Sequence, residues 1–488
     1  MAHAEMTDMG CTCENDDVAP ALQKNTVGWA DVRKPNKRYT MIFGGLHTSD
    51  LQFYIPIPPL FCYILLMRII HTSDWHLGQN FMGKSRAAEH LAFLAWLLEQ
   101  IKSHQVDALI VAGDIFDTGS PPSYAREMYN RFIVDIQSTD CQLIVLAGNH
   151  DSVATLNESK DLLACLNTRV IASVANNEAN NETDNVIPLN NRKGELAAIL
   201  CAVPFIRPRD VMMSQAGQSG RDKQQAMQQA ISDYYQLLFK QADKLRKAHS
   251  KKHKKNLPII ATGHLATVGA STSDSVRDIY IGTLDAFPAN AFPPVDYLAL
   301  GHIHQSQQVA KAEHIRYCGS PIALSFDENK QNKSVLLVDF KAGKFDKVTP
   351  LEVPCFQPMQ VIKGDLKSIE KQLKKLPKSF DLDDKQTIWL EILVSSQDYL
   401  NDLQNRIQKM TENLPIEVLR LRRERKNSQT SLQKVAKETL NELDVMDVFE
   451  RRLSEEIWEG EEEKKRQDRI KRTFKKVLDE LEEGSETP

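Results

Sequence analysis

The chain has 488 residues, 42% of them apolar and 26% charged, with a formal net charge of -4. The length suits two or three domains and the composition an ordinary globular protein, which excludes a collagenous or wholly disordered chain. The near-neutral balance excludes nucleic-acid binding through a global positive field, so any basic surface is local.

Residues 1–66 are irregular and of mixed polarity. Their closing apolar run, Leu60 to Leu66, follows Pro56, Pro58 and Pro59. It is too short to cross a bilayer, which takes about 20 apolar residues, and too far from the N-terminus for a signal peptide. The stretch is expected to be a disordered extension or a misassigned start, with Met67 as the functional start. Within it, His47-Thr48-Ser49-Asp50 repeats His71-Thr72-Ser73-Asp74 letter for letter but lacks the following histidine, and is read as coincidence. Eight cysteines are scattered along the chain without an obvious metal set, as expected of reduced thiols in a cytoplasmic protein.

From Met67 the pattern becomes regular. Met67–Thr72 reads as a buried strand ending in Asp74-Trp75-His76. In an extended segment residues two apart share a side, so Asp74 and His76 are expected to converge while Trp75 faces away. A helix follows over about 87–103, with Leu91, Leu94, Leu97, Leu98 and Ile101 at helical spacing. The apolar run Ala108–Ala112 suits a strand covered on both faces and ends in Gly113-Asp114-Ile115-Phe116-Asp117. A helix over about 123–138 leads to a third strand, 142–147, ending in Gly148-Asn149-His150-Asp151. Alternating strands and helices argue for a layered α/β core, with ligands at the C-terminal strand ends.

Further on, 176–185 is a polar loop, 196–203 a strand and 224–248 a helix running into Lys244–Lys255, which holds seven Lys or Arg. That run reads as a solvated helix end or a phosphate-contacting patch. The strand 258–262 leads into Gly263-His264, and 297–300 into Gly301-His302-Ile303-His304. Tyr317 to Pro321 reads as a turn and 334–340 as a closing strand.

After about Lys344 the composition shifts. Strands at 359–363, 387–394 and 416–422 alternate with helices at 366–376 and 399–410, a small α/β unit without a histidine or glycine-rich cluster. From Asn427 the chain is polar and helical. Leu443, Met446, Phe449, Leu453 and Ile457 form one apolar stripe, and Ile470, Phe474, Val477, Leu478 and Leu481 another. Such stripes suit docking on a partner or packing back on the chain's own domain. The expected domains are therefore an extension 1–66, a core 67–343, an α/β cap 344–425 and a helical tail 426–488.

Each polar cluster is weak alone; Asp-x-His is more often a solvated loop. Five clusters in this order, each after a strand, are chemically coherent. Carboxylate, amide and imidazole groups can hold two divalent metals that clamp the attacking and leaving oxygens of a phosphoester. Asp114 is the candidate bridge, and His150, beside Asn149, is placed to act as an acid or to orient phosphate. No Gly-x-x-x-x-Gly-Lys-[Ser/Thr] loop occurs, so any coupled ATP hydrolysis belongs to another chain.

These clusters resemble the calcineurin-like metallophosphoesterase superfamily. With His71–Gly78, Val276–Asp285 and Tyr317-Cys318-Gly319-Ser320-Pro321, they resemble its SbcD family of bacterial nuclease subunits, from Met67 nearly to the C-terminus. The resemblance implies an α/β/β/α core, a small cap and a partner-binding tail. It implies one metal on Asp74, His76, Asp114 and His304, a second on Asp114, Asn149, His264 and His302, and His150 as the catalytic histidine. The implied metals are two manganese ions, and Asp117 and Asp151 fix ligand orientation. The implied activity is 3′–5′ exonuclease on duplex DNA and endonuclease on single strands and hairpins, in repair, recombination and replication. The implied partner is the coiled-coil ATPase SbcC, two copies with two of this chain. A small-molecule phosphodiesterase or protein phosphatase with the same metal site, and a non-catalytic scaffold of the same fold, are the competing readings. Loop 120–126, Arg207, Arg209 and the lysine run are candidate DNA contacts.

Overall fold

The computed structural model describes residues 66–174, 184–211, 219–268, 270–271, 276, 286–380, 382, 386–395, 402–423, 449, 453 and 466–474. The extension at 1–65, most of the loop 176–185, the motif residues 277–285 and most of the tail lie outside the described residues.

The strands expected from the apolar runs form two six-stranded sheets. Strands β1 (Leu66–Thr72), β2 (Ala108–Ala112), β3 (Gln142–Leu146) and β4 (Thr168–Ile171) run side by side in parallel. The second sheet holds β5 (Val186–Asn190), β6 (Leu196–Cys201), β7 (Ile259–His264), β8 (Tyr297–Gly301), β9 (Gln307–Val309) and β10 (Ala312–Tyr317). Side-chain alternation explains why the runs are apolar throughout. In β2, Leu109 and Val111 enter the core under the outer helices, whereas Ala108 and Ile110 enter the core between the sheets. In β8, Leu298 and Leu300 face one core, and Tyr297 and Ala299 the other.

Helices close both outer faces. α1 (Ala87–Ser103) and α2 (Ser123–Ile136) pack on the first sheet through Phe93, Leu97, Ile101, Phe132 and Ile133. α3 (Gly220–His253) packs on the second through Met227, Ile231, Tyr235, Leu238 and Ala242, a stripe at helical spacing. The architecture is thus the expected α/β/β/α layering. Past Ala242 no described residue of α3 is buried. The lysine run therefore sits where β7 begins, roughly 20 Å along that strand from the end carrying His264, which places it away from the ligand clusters.

The core continues beyond the boundary drawn at 343. Strand β11 (Ser334–Lys341) pairs antiparallel with β1, and β12 (Lys344–Glu352) pairs antiparallel with β11 along its length. β12 is a half-exposed edge strand, so its polar alternation reads like a linker. A separate three-stranded parallel sheet follows, formed by β13 (Met359–Gly364), β14 (Ile388–Val394) and β15 (Ile416–Arg423). Helices α4 (Leu366–Lys375) and α5 (Leu403–Thr411) cover it, with Ile369, Leu373, Leu403 and Ile407 in a small core of its own. In the tail, the rings of Phe449 and Phe474, one from each apolar stripe, stack at 3.8 Å.

Candidate metal centre

The five polar clusters leave the strands at one edge of the paired sheets and converge. Asp74, His76 and His304 bring one ligand atom each within 4.8 Å of one another, as do Asp114, His264 and His302. All six residues are buried. Asn149 completes the second group: its Oδ1 lies 2.9 Å from His264 Nε2 and 3.1 Å from His302 Nδ1. Asp114 stands between the groups, its Oδ2 3.3 Å from His264 Nε2 and 3.6 Å from His76 Nε2. A third triplet, His76, Asp114 and His150, borrows members from both groups.

The convergence of Asp74 and His76 does not come from strand alternation. Both have left-handed backbones, φ 54° and 48°, as do Asp114 at 50° and His302 at 92°. Such φ values are uncommon outside glycine and cost on the order of 1–3 kcal/mol each unless the surroundings impose them. Here a ladder of backbone hydrogen bonds does so. Asp74 N–H donates to Gly113 O at 3.0 Å, His76 N–H to Asp114 O at 3.1 Å and Leu77 N–H to Ile115 O at 2.9 Å. The strand-end loops thus brace one another past the sheet. Two glycines let them approach: a Cβ on Gly148 would fall on Asp114 Oδ1, and one on Gly301 would fall on the Ala112 carbonyl oxygen.

Each imidazole is oriented from behind. His76 Nδ1 pairs with Asp117 Oδ1 at 3.1 Å, His264 Nδ1 donates to Ala112 O at 2.9 Å, and His304 Nδ1 pairs with Glu328 Oε1 at 3.3 Å. Fixing Nδ1 in this way turns Nε2 towards the centre, as in metal-binding histidines. His302 is the exception and presents Nδ1 to Asn149. Its backbone N–H donates to Asp74 Oδ1 at 3.0 Å, tying the two groups together. Among the described residues the Asp151 carboxylate is hydrogen-bonded to no imidazole. It accepts from the N–H groups of Ile115, Phe116 and Gly148 and pins the two loops together.

The donor set fits a divalent cation. His76 Nε2 is buried without a hydrogen-bond partner, which is costly for a polar atom that nothing else would satisfy. Charges in the site point the same way. Burial opposes protonation of His264, yet the Asp114 carboxylate raises its pKa to about 9. His76 is also raised: burial opposes the charge, but Asp117 and the fields of Asp114 and Asp74 outweigh it. Burial alone would raise Asp114, but His264, His76 and His150 hold it well below the usual carboxylate range. The centre therefore favours positive charge, borne by protons where no metal is bound.

His150 is half-buried, with Nδ1 donating to Asp117 O at 2.7 Å and its ring edge-on to His76 at 4.6 Å. Asp117 thus orients two rings, one through its carboxylate and one through its carbonyl. Of the candidate DNA contacts, Arg207 donates from Nη2 to Asp151 O at 2.9 Å, beside the centre. Arg209 is exposed and pairs only loosely with Asp210, at 3.8 Å.

Sequence reasoning missed Glu328 and Lys333. Glu328 is fully buried and receives Lys333 Nζ at 2.6 Å and Leu324 N–H at 3.0 Å besides His304. Lys333 Nζ also donates to His304 O at 3.0 Å, so the pair holds that histidine at both ends. Nothing in Ser325-Phe326-Asp327-Glu328 distinguishes this acid from a solvated turn.

Comparison with known proteins places the chain in a family. Residues 67–306 match a family model described as calcineurin-like phosphoesterase, and 355–456 match one described as type 5 capsule protein repressor C-terminal domain. A protein of Escherichia coli (strain K12), named as the D subunit of the nuclease SbcCD, is 56% identical over 399 residues, covering 82% of this chain and 96% of that protein. Proteins of the same name are 33% identical over 293 residues in Rhodobacter capsulatus and 30% identical over 281 residues in Bacillus subtilis. These cover 59% and 57% of this chain, and 70% and 67% of those proteins.

Proposed function

The chain belongs to the SbcD family of calcineurin-like phosphoesterases, and we propose that its two ligand groups each hold a divalent metal ion at which DNA phosphodiesters are hydrolysed. It is a metal-dependent nuclease, the SbcD component of an SbcCD-type complex. The observation that carries the two-metal assignment is the position of Asp114, whose carboxylate lies between two independent sets of buried donors.

In this assignment Asp74, His76, His304 and Asp114 serve one metal, and Asp114, Asn149, His264 and His302 the other. When bound, a metal pair polarises the phosphoester, supplies a nucleophile at neutral pH and stabilises the charge that builds on the phosphoryl oxygens. The chain's own residues do the rest. Asp114 sets the spacing between the groups. His150 Nδ1–H donates to the Asp117 carbonyl, which leaves Nε2 as its reactive atom; as the imidazolium, His150 would give the Nε2 proton to the departing sugar oxygen and keep the Nδ1 proton on the carbonyl. His150 is assigned to this role because the triplets Asp74–His76–His304 and Asp114–His264–His302 have no member in common, whereas the triplet that contains His150 takes His76 from one and Asp114 from the other.

Manganese is the proposed metal, on the family's usage and on a mixed Asp, Asn and His donor set. We further assign 3′–5′ exonuclease action on duplex ends, endonuclease action on single strands and hairpins, and a cytoplasmic place in repair, recombination and replication. The proposed partner is the coiled-coil ATPase SbcC, two copies with two of this chain, gripped by the tail beyond residue 426. Residues 355–423 serve as the cap over the site. The DNA reading is tested by incubating purified protein and Mn2+ with linear duplex DNA, with and without the ATPase, and with a cyclic dinucleotide. Cleavage of the dinucleotide with none of the DNA would replace this reading with a small-molecule phosphodiesterase.

Metal uptake is expected to release protons. His264 titrates near 9 in the metal-free protein against an ordinary value of 6.5, so it is protonated at pH 7 and must lose that proton to coordinate. The raised pKa stabilises the metal-free fold below about pH 6.5, and that stabilisation is lost as pH rises through about 9. Calorimetric Mn2+ titrations in buffers of different ionisation enthalpy should show proton release at pH 7 that fades above pH 9. Equal heats in all buffers at pH 7 would contradict it.

A further inference from the structure

The short turn Phe326–Glu328 sits between the metal centre and the small three-stranded unit, and its neighbouring side chains serve both. On one side, Phe326 packs edge-on to Phe81 at 5.2 Å in an apolar cluster with Met359 and Trp389 of the small unit. Trp389 stacks on Phe81 at 6.0 Å and 13°. The buried guanidinium of Arg86 lies over both rings, at 5.6 Å and 5.8 Å. Next in the turn, Asn329 donates from Nδ2 to Met359 O at 3.4 Å and Gln360 Oε1 at 3.1 Å. On the other side, Glu328 holds His304 Nδ1 and, through Lys333, the His304 carbonyl.

We infer that the seat of the small α/β unit sets the geometry of the Asp74–His76–His304 group, with Glu328 as the positioning residue that carries the coupling. The inference rests on the two-metal reading above. A turn of three residues cannot shift at Phe326 and Asn329 without moving Glu328 between them. A movement of Glu328 reaches His304 directly, because both its ring and its carbonyl are bound to the same carboxylate–lysine pair. Among the described residues the other group makes no hydrogen bond to this turn or to the small unit, and it meets the first group through the His302 N–H on Asp74. Among the described residues, His264 and His302 are held by Ala112, Asn149 and Asp74, all within the core. The joint also has room to move. A cavity of about 310 Å³ lies beside the turn, lined by Asn329, Glu328 and Lys333 on the core side and Met359, Gln360 and Phe380 on the other. Close packing would otherwise resist displacement. DNA or a partner chain that presses on the small unit would thereby tune one metal position and leave the other alone.

The test is Mn2+ titration of the full chain, with free Mn2+ followed by electron paramagnetic resonance. The wild type is expected to bind two ions. Trp389→Ala should weaken one site about tenfold, within the range for loss of a ligand's supporting contacts, and leave the other within about twofold. Trp389→Phe, which keeps the stack, should restore it. Asn329→Ala removes only two hydrogen bonds at the joint and should weaken the same site in a protein that remains folded. Glu328→Gln should weaken that site too, and adding Trp389→Ala to it should bring no further loss, as for residues acting in one chain of contacts. Equal weakening of both sites, or no change with either Trp389→Ala or Asn329→Ala, would overturn the coupling. A wild type that binds fewer than two ions would instead strike the two-metal reading itself.

Discussion

Asp114→Asn is expected to fold like the parent chain and to lose about three decades of Mn2+-dependent turnover on DNA. Asparagine keeps the Oδ1 that accepts the His150 N–H at 2.9 Å, so the loop 148–151 stays anchored. What changes is the oxygen between the two groups. An amide nitrogen there would face His264 Nε2 and His76 Nε2, at present 3.3 Å and 3.6 Å from Asp114 Oδ2. It would donate to the lone pairs that a metal needs and remove the negative charge shared by both groups. Losing about 4 kcal/mol of metal-derived transition-state stabilisation corresponds to about a thousandfold in rate. Steady-state kinetics and a thermal melt check the two halves together. Turnover within tenfold of the parent would remove Asp114 from the bridge.

His150→Ala is expected to lower kcat by about 10² to 10⁴, the usual range for losing a general acid, with Mn2+ affinity and DNA binding nearly unchanged. The half-buried ring touches His76 only edge-on, and its backbone N–H, which the substitution retains, makes the contact to Asp114. The variant therefore separates the two roles that the geometry offers His150. If Mn2+ affinity falls in step with kcat, His150 belongs among the ligands with His76 and Asp114. If kcat falls alone, it is the acid.

Much of this centre was legible because most of its ligands follow short apolar runs of strand length bounded by glycine. Ala108–Ala112 supplies side chains to two cores, and no polar residue is tolerated until the run ends at Gly113-Asp114. Leu143–Leu146 before Asn149 and Tyr297–Leu300 before His302 likewise supply side chains to two cores. The local backbone was not legible. Reading Asp-x-His as an extended pair anticipates the convergence of the two side chains but not its cause, because the left-handed φ values of Asp74 and His76 are imposed by hydrogen bonds to Gly113 and Asp114, far off in sequence. Glu328 was invisible for a related reason. Its role depends on Lys333 and His304 meeting it in space, while its own neighbours look like any polar turn. The edge strand Lys344–Glu352 was misplaced because half its residues face solvent, so its pairing with Ser334–Lys341 leaves little apolar signature.

Diffraction at the manganese absorption edge from crystals grown with Mn2+ tests the two-metal centre most directly. Two anomalous peaks about 3.5–4 Å apart are expected, one beside Asp74, His76 and His304 and one beside Asn149, His264 and His302, with the Asp114 carboxylate between them. A single peak, or two peaks of which Asp114 touches only one, would contradict the bridged two-metal site.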